Sequence, residues 1–322
     1  MNRSPIVYFL FLFSGITALI YEVVWTRMLT LVFGHTVFSV SVVLAAFMAG
    51  LGFGSYYFGC FIDHIWGENK NSSEENWDEN RPEDGRAPTP LLIYGWIEIL
   101  IFVICSIVSL ILFEFSAVYS WLSSFIPESV VVQNTVKAVM AFGLMFIPAS
   151  LMGSTLPIIS KYYITDNTKL GSQMGVLYGI NTLGAAFGCL VAGFFLIGAF
   201  GVLQTVLGAA LMNLFVGVCA IRIYQDSGGA RPSFRLPRFT LPSFEWTKEQ
   251  KEWMAVSFAC GFTALAYEVL WTRLLVFSIS STVYSFSMML GVFLLGITLG
   301  SLLVVPVFRS NLNLRTVLTG LQ

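Results

Sequence analysis

Eight stretches of this chain are long and apolar enough to cross the hydrocarbon of a bilayer, and they limit its fold more than any other feature. A membrane helix needs about 20 mostly apolar residues, and such runs fall at roughly 6–31, 37–62, 91–113, 131–160, 172–198, 201–222, 253–277 and 283–307. Hydrocarbon offers the backbone no hydrogen-bond partner, so each run must bond internally as a helix. The expected fold class is therefore an all-α polytopic membrane protein with the lipid bilayer as its first partner. Composition points the same way. Of the 322 residues, 56% are hydrophobic and 11% charged, whereas soluble domains carry about 25% charged residues. The net charge of −1 leaves no basic footprint for nucleic acid.

The basic residues set the orientation. Arg3, Lys70, Arg81, Arg86, Lys161, Lys169, Arg222, Arg231, Arg235, Arg238, Lys248, Lys251, Arg309 and Arg315 all fall on one side of the eight spans. Arg27, Lys137 and Arg273 fall within spans, and the opposite loops hold no Lys or Arg. Such asymmetry marks the basic side as cytoplasmic, so both termini are expected there, in a cytoplasmic (inner) membrane. The first span lacks a signal-peptidase-like site, so cleavage is not expected. Polar, acidic 67–90 reads as a disordered cytoplasmic loop. Pro148 and Pro157 predict a kink or break in span four near Met152–Thr155, and Ala117–Ile126 reads as an amphipathic segment on the membrane surface.

The sequence also repeats itself. Gly15-Ile16-Thr17-Ala18-Leu19-Ile20-Tyr21-Glu22-Val23-Val24-Trp25-Thr26-Arg27 returns as Gly261-Phe262-Thr263-Ala264-Leu265-Ala266-Tyr267-Glu268-Val269-Leu270-Trp271-Thr272-Arg273. At the same constant offset Thr36, Val37, Ser39, Ser41, Gly50, Gly54 and Ser55 match Thr282, Val283, Ser285, Ser287, Gly296, Gly300 and Ser301. Roughly twenty of about 42 aligned positions are identical. Six spans separate the copies, so both enter the membrane in the same direction, a parallel repeat as in the halves of major-facilitator transporters. The expected organisation is a six-helix unit over 1–224, a linker over 225–252, the first two helices of a second repeat over 253–308, and a tail over 309–322 that starts a further helix. On this reading the chain is a truncated version of a longer protein.

The Y-E-V-[VL]-W-T-R cores resemble the membrane part of the fused major-facilitator/spermidine-synthase family. Tyr94-Gly95-Trp96-Ile97-Glu98, Met152-Gly153-Ser154-Thr155-Leu156-Pro157 and Tyr178-Gly179-Ile180-Asn181-Thr182-Leu183-Gly184-Ala185 are similar to the same family. The resemblance implies a major-facilitator-like bundle associated with polyamine chemistry. Relatives of that kind usually continue into a Rossmann-like aminopropyltransferase domain. Here the glycines lie inside spans and no soluble stretch is long enough for such a domain, so no catalysis by this chain alone and no cofactor are expected.

Charges inside spans cost about 2.5–3.5 kcal/mol each at mid-membrane, so Glu22, Arg27, Glu268 and Arg273 call for a reason. Five residues turn a helix by about 500°, which leaves each Glu–Arg pair some 140° apart and unable to bridge on its own helix. Pairing across the repeat, Glu22 with Arg273 and Glu268 with Arg27, is the expected alternative. Two readings stay open: a cavity-lining or gating set for a polar solute, or a structural lock between helices. Tyr21 and Tyr267 could face that cavity or a neighbouring helix. Glu98 could be a proton-linked carboxylate or be bonded to another helix. Asn181 and Asn213 read as interhelical hydrogen-bonding groups, Lys137 as a snorkelling cation, and Trp25 and Trp271 as interfacial belt anchors.

Gly50 and Gly54, Gly175 and Gly179, and Gly184 and Gly188 form small-x-x-x-small pairs expected to let helices approach closely. Cys60, Cys105, Cys189, Cys219 and Cys260 read as small buried hydrophobes. Asp63 with His64 is too little for a metal site. Two functions remain open at this level. One is a transporter-like module for a polyamine or other small cationic solute; the other is a membrane anchor for a synthase domain, or for a chain supplying the missing helices.

Overall fold

The computed structural model describes residues 4–34, 36–74, 90–124, 127, 129–163, 170–226 and 247–309. The described residues are helical throughout, with short turns between helices and no strand. In chain order the helices are α1 (Ser4–Phe33), α2 (Thr36–Glu74), α3 (Pro90–Phe113), α4 (Phe115–Ser123), α5 (Val130–Tyr163), α6 (Leu170–Val191), α7 (Ile197–Phe200), α8 (Val202–Asp226), α9 (Lys248–Ile279) and α10 (Thr282–Arg309). A five-residue π-turn, Ala192–Leu196, joins α6 to α7. Eight segments are long and apolar enough to cross a membrane: Pro5–Phe33, Phe38–Ile62, Pro90–Phe113, Val130–Tyr163, Gly171–Phe200, Val202–Asp226, Gln250–Ile279 and Thr282–Leu303. The chain is an all-α polytopic membrane protein.

Several boundaries differ from expectation, each for a local reason. Helix α5 does not break at its prolines and runs unbroken through Pro148 and Pro157. The hydroxyls of Ser154 and Thr155 donate to the carbonyls of Leu151 and Met152 at 2.6 and 2.7 Å, local bonds within the same helix just before Pro157. Helix α9 begins at Lys248, inside the expected linker. There Thr247 and Gln250 form a reciprocal capping box: the Gln250 amide donates to Thr247 Oγ1, and the Thr247 amide donates to Gln250 Oε1. Helix α2 continues to Glu74, so the start of the expected loop is helical. Residues 75–89, 227–246 and 310–322, and with them the rest of that loop, the remaining linker and the tail, lie outside the described residues. So do the side chains of Asp63, His64 and Lys70.

Helix α4 overlaps the segment expected on the membrane surface and begins two residues before it, at Phe115. Its Tyr119 ring receives Lys137 of α5, with Nζ 4.5 Å from the ring centroid. Packing is dominated by α2 on α5, α1 on α6, α3 on α8 and α6 on α10. Helix α1 is central: 61% of its most apolar window is buried, against 6% for α9.

The repeat is written into the backbone. Helix α1 ends at Phe33 and α9 at the matching Ile279; α2 starts at Thr36 and α10 at the matching Thr282. Between them Gly34 (φ 68°) and its counterpart Ser280 (φ 56°) both adopt the left-handed conformation. Their amides donate to equivalent carbonyls, Gly34 to Thr30 at 3.1 Å and Ser280 to Val276 at 3.0 Å. A side chain in that conformation meets the carbonyl next to it, which glycine avoids. Ser280→Gly should therefore stabilise the protein by about 1 kcal/mol and Gly34→Ser destabilise it by a similar amount. Denaturant titration of the purified chain in mixed micelles reads both; a Ser280→Gly variant no more stable than the parent would contradict the equivalence.

Candidate functional site

Two buried polar clusters meet on α1, one on each side of its Tyr21-Glu22 step. Consecutive residues on a helix point about 100° apart, so these neighbours serve different surroundings. Tyr21 turns toward α3 and α8. Its hydroxyl donates to Asn213 Oδ1 at 3.1 Å, and Asn213 Nδ2 donates to Glu98 Oε2 at 2.6 Å. All three side chains are buried, and Glu98 also lies beside Tyr94 and Ser14. One turn along α1, the Trp25 indole donates to Ser109 Oγ of α3 at 2.9 Å. Each side chain here acquires a partner from another helix, as burial away from water requires, with Glu98 Oε1 the one buried oxygen of the cluster left unpaired.

Glu22 turns the other way, toward the second copy. Glu22 and its repeat counterpart Glu268 are 1% and 2% exposed and lie near enough for their charges to interact. Both sense the Cys189 thiol of α6, which donates to the Ser287 carbonyl of α10 at 3.4 Å. Neither Glu22 Oε1 nor Glu268 Oε1 has a hydrogen-bond partner, and the Ser287 hydroxyl has none either. The hydroxyls of Thr26 and Thr272 cannot help, because they bond the carbonyls of Glu22 and Glu268 at 2.7 and 2.8 Å.

The expected cross-repeat ion pairs do not form. Arg27 is half-buried and Arg273 exposed, and none of Glu22, Glu268, Arg27 and Arg273 enters a salt bridge among the described residues. The sequence showed that charges recur at matching positions, yet it did not carry the rotation of α1 and α9 about their axes. That rotation turns both carboxylates into the bundle and leaves the guanidiniums nearer its surface. Trp25 is no belt anchor either, being 0% exposed inside the bundle, whereas Trp271 is 58% exposed.

The remaining candidates sit at helix crossings. Asn181 packs on α1, where a Cβ at Gly15 would collide with its carbonyl and its side-chain oxygen. Gly50 and Gly54 lie against Ala149 and Ser150 of α5. Gly184 and Gly188 lie against the Leu12 and Ile16 carbonyls of α1, and Gly175 and Gly179 against Ser301 of α10. Not all cysteines are buried: Cys105 and Cys189 are, Cys60 and Cys219 are half-buried, and Cys260 is exposed. Tyr267 is 60% exposed, so the tyrosines of the two copies do not share one environment.

The π-turn beside the carboxylates had no counterpart in the sequence reading. It is held by Phe194 stacking on Tyr284 at 5.2 Å and by close contact of Gly193 with the Ser287 side chain. π-Turns carry one extra residue per turn and recur at functional positions. Among the described residues, the junction therefore gathers two carboxylates, a thiol and a hydroxyl, with no basic partner for Glu22 or Glu268. Such a donor-poor, acceptor-rich set suits a positively charged ligand with several N–H donors. Comparison of the chain with protein-family models, curated proteins and solved structures finds no match.

Removing the central amide of the first cluster should be costly. Asn213→Leu takes from the buried Tyr21 hydroxyl its amide acceptor and from a Glu98 oxygen its donor, and should destabilise the protein by about 3 kcal/mol. Denaturant titration checks this. A loss below about 1 kcal/mol would show that the network does not hold α1, α3 and α8 together.

Proposed function

We propose that this integral membrane protein is a transporter-like module for a small cationic solute, with Glu22 and Glu268 as its binding carboxylates. The observation that carries the reading is the burial of both side chains within electrostatic range of each other, without a basic partner among the described residues. Two ionised carboxylates in a medium of low dielectric repel, and a positive charge between them, carried by a proton or by a cationic solute, relieves the repulsion. The Ser287 hydroxyl and Cys189 thiol add polar atoms for an amine. Resemblance of the repeated core to the fused major-facilitator/spermidine-synthase family makes a polyamine the first solute to test. It also supports a major-facilitator-like arrangement in which the two copies meet around the solute.

Uptake of labelled putrescine and spermidine into cells tests this directly. The Glu22→Gln, Glu268→Gln double variant should retain its folding yield and lose affinity roughly a hundredfold, the scale expected when a buried charge partner is removed. Uptake unchanged by the double variant, together with reduced folding yield, would make the pair a structural lock instead.

The distribution of Lys and Arg supports an inner-membrane orientation with the N-terminus cytoplasmic. Lys161 ends α5, Arg222 lies near the end of α8, and Lys248 and Lys251 begin α9, all at one set of helix ends. The turns at Gly34, Gly201 and Ser280 lie at the other ends. Single cysteines at Gly201 and at Ser280 should react with a membrane-impermeant maleimide from outside intact spheroplasts, and one at Thr247 only after permeabilisation. The reverse pattern would invert the topology.

A further inference from the structure

Glu98 lies outside the carboxylate junction, and the hydrogen bonds around it can be followed donor by donor. Its side chain is 0% exposed and stands eight residues into α3, about 12 Å from that end of the helix. The tyrosine and amide donors near it are already committed. The Tyr21 hydroxyl gives its one proton to Asn213 Oδ1 at 3.1 Å, and Asn213 Nδ2 donates to Glu98 Oε2 at 2.6 Å. The Tyr94 hydroxyl gives its one proton to the Leu10 carbonyl at 3.3 Å, which leaves the Tyr94 oxygen able to accept. Ser14 of α1 is close as well, yet Glu98 Oε1 has no hydrogen-bond partner.

An ionised carboxylate in this position would bring a charge into hydrocarbon with one oxygen lacking any donor. No cation offsets it. The titratable groups within electrostatic range are Tyr21 of α1 and Tyr94 and Cys105 of α3, each neutral or, when ionised, negative. The other helices packed on α3 supply no charged group to Glu98 among the described residues; α8 contributes the neutral Asn213. Burial in such surroundings is tolerated when the carboxyl is neutral. A proton on Oε1 removes both difficulties at once. It cancels the charge, and it turns an unpaired acceptor into a donor with the Tyr94 and Ser14 oxygens nearby. Apolar sites hold carboxylic acids neutral at pH 7 in this donor role.

We propose that Glu98 is a proton-binding site, occupied when α1, α3 and α8 are packed together and completing the hydrogen-bond chain that ties them. The ligand is a single proton held on Oε1. Separation of α1 from α3 and α8 admits water to the carboxyl; the O–H bond breaks, the proton passes to water, and the electron pair stays on the carboxylate. Repacking of the helices takes the proton back. A carboxyl that is dry in one arrangement and hydrated in another carries a proton between them, the usual reason for an acidic residue inside a span. A metal cation is a poorer occupant, because hard cations need converging oxygens. Here an N–H points at Oε2, and Asn213 Oδ1 is taken by Tyr21. The inference stands apart from the solute reading, since neither Glu22 nor Glu268 takes part in it.

Infrared spectroscopy of the full chain in phosphatidylcholine nanodiscs at pH 7 tests this, because carboxyls in water are ionised there. The parent should show the C=O stretch of a protonated carboxyl that Glu98→Gln removes and that the Glu22→Gln, Glu268→Gln double variant keeps. Tyr94→Phe should retain that band and move it to higher frequency, since the acid loses an acceptor. Glutamine keeps one acceptor and one donor, so Glu98→Gln should unfold at the same denaturant concentration as the parent. A Glu98→Gln spectrum identical to the parent's in the protonated-carboxyl region would overturn the proposal. A Glu98→Gln chain that cannot fold would do the same, because a neutral side chain of equal shape should fit. Loss of the band when sodium chloride replaces potassium chloride would also overturn it and assign the site to a metal cation.

Discussion

A polar group inside hydrocarbon must find its partner within the protein, and at Glu22 and Glu268 that demand is met only in part. Both are buried at the junction between the two copies of the repeat, each with one carboxylate oxygen unpaired. The junction is narrow because α6 is wedged into it. Gly184 and Gly188 bring α6 onto the α1 backbone, and Gly175 and Gly179 bring it onto α10. At 100° per residue these two glycine pairs lie about 180° apart around α6, which suits one helix that must touch two others. The position of the carboxylates follows: α6 holds α1 and α10 at fixed distance, and α10 carries α9 with it.

The first copy shows what the same residues do when their helices are fully surrounded. Tyr21, Asn213 and Glu98 form a continuous chain of hydrogen bonds across α1, α8 and α3, and Trp25 with Ser109 adds a second tie between α1 and α3. In the second copy the equivalent tyrosine and tryptophan keep their ring contact and lose their partners. Lipid tails are as apolar as leucine, so leaving Leu270 and Leu274 at the surface carries little penalty; leaving an indole N–H and a phenol O–H there carries a real one. The hydroxyl of Ser285 shows the same imbalance on a smaller scale. Its counterpart Ser39 pairs with Thr30 Oγ1 at 2.9 Å, but the position of Thr30 is Val276 in the second copy, and the Ser285 hydroxyl is left unpaired.

Much of the fold was legible in the sequence because hydrocarbon is a strict solvent. Length and apolarity alone place all eight spans within a few residues, and small-x-x-x-small spacing marks surfaces where α2 meets α5 and α6 meets α1 and α10. What the sequence left open is azimuth. Helical periodicity says that Glu22 and Arg27 diverge; it does not say which of them turns inward, and the expected Glu–Arg pairing across the repeat failed on that point. Trp25 was misjudged for a related reason: depth along the helix was inferred, while its burial depends on a serine in another span. The capping box at Thr247 and Gln250 was readable from its residues. The π-turn at Ala192–Leu196 was not, since no proline or glycine pattern distinguishes it from the α-helix around it.

The two clusters also differ in how they could respond to motion. The Tyr21–Asn213–Glu98 chain crosses helices of a single copy and resists their separation, because breaking it strands buried polar groups. Across the junction, the direct polar tie near the carboxylates among the described residues is a thiol, Cys189 to the Ser287 carbonyl, which is a weak donor. Polar ties are therefore concentrated within the first six spans, while the two copies are joined chiefly by the packing of α6 on α10. Alternating access in parallel-repeat transporters consists of one bundle rocking against the other around a site at their interface. On the proposed function, a cation held between Glu22 and Glu268 would bridge the two copies, so its arrival and departure would act on the joint between them.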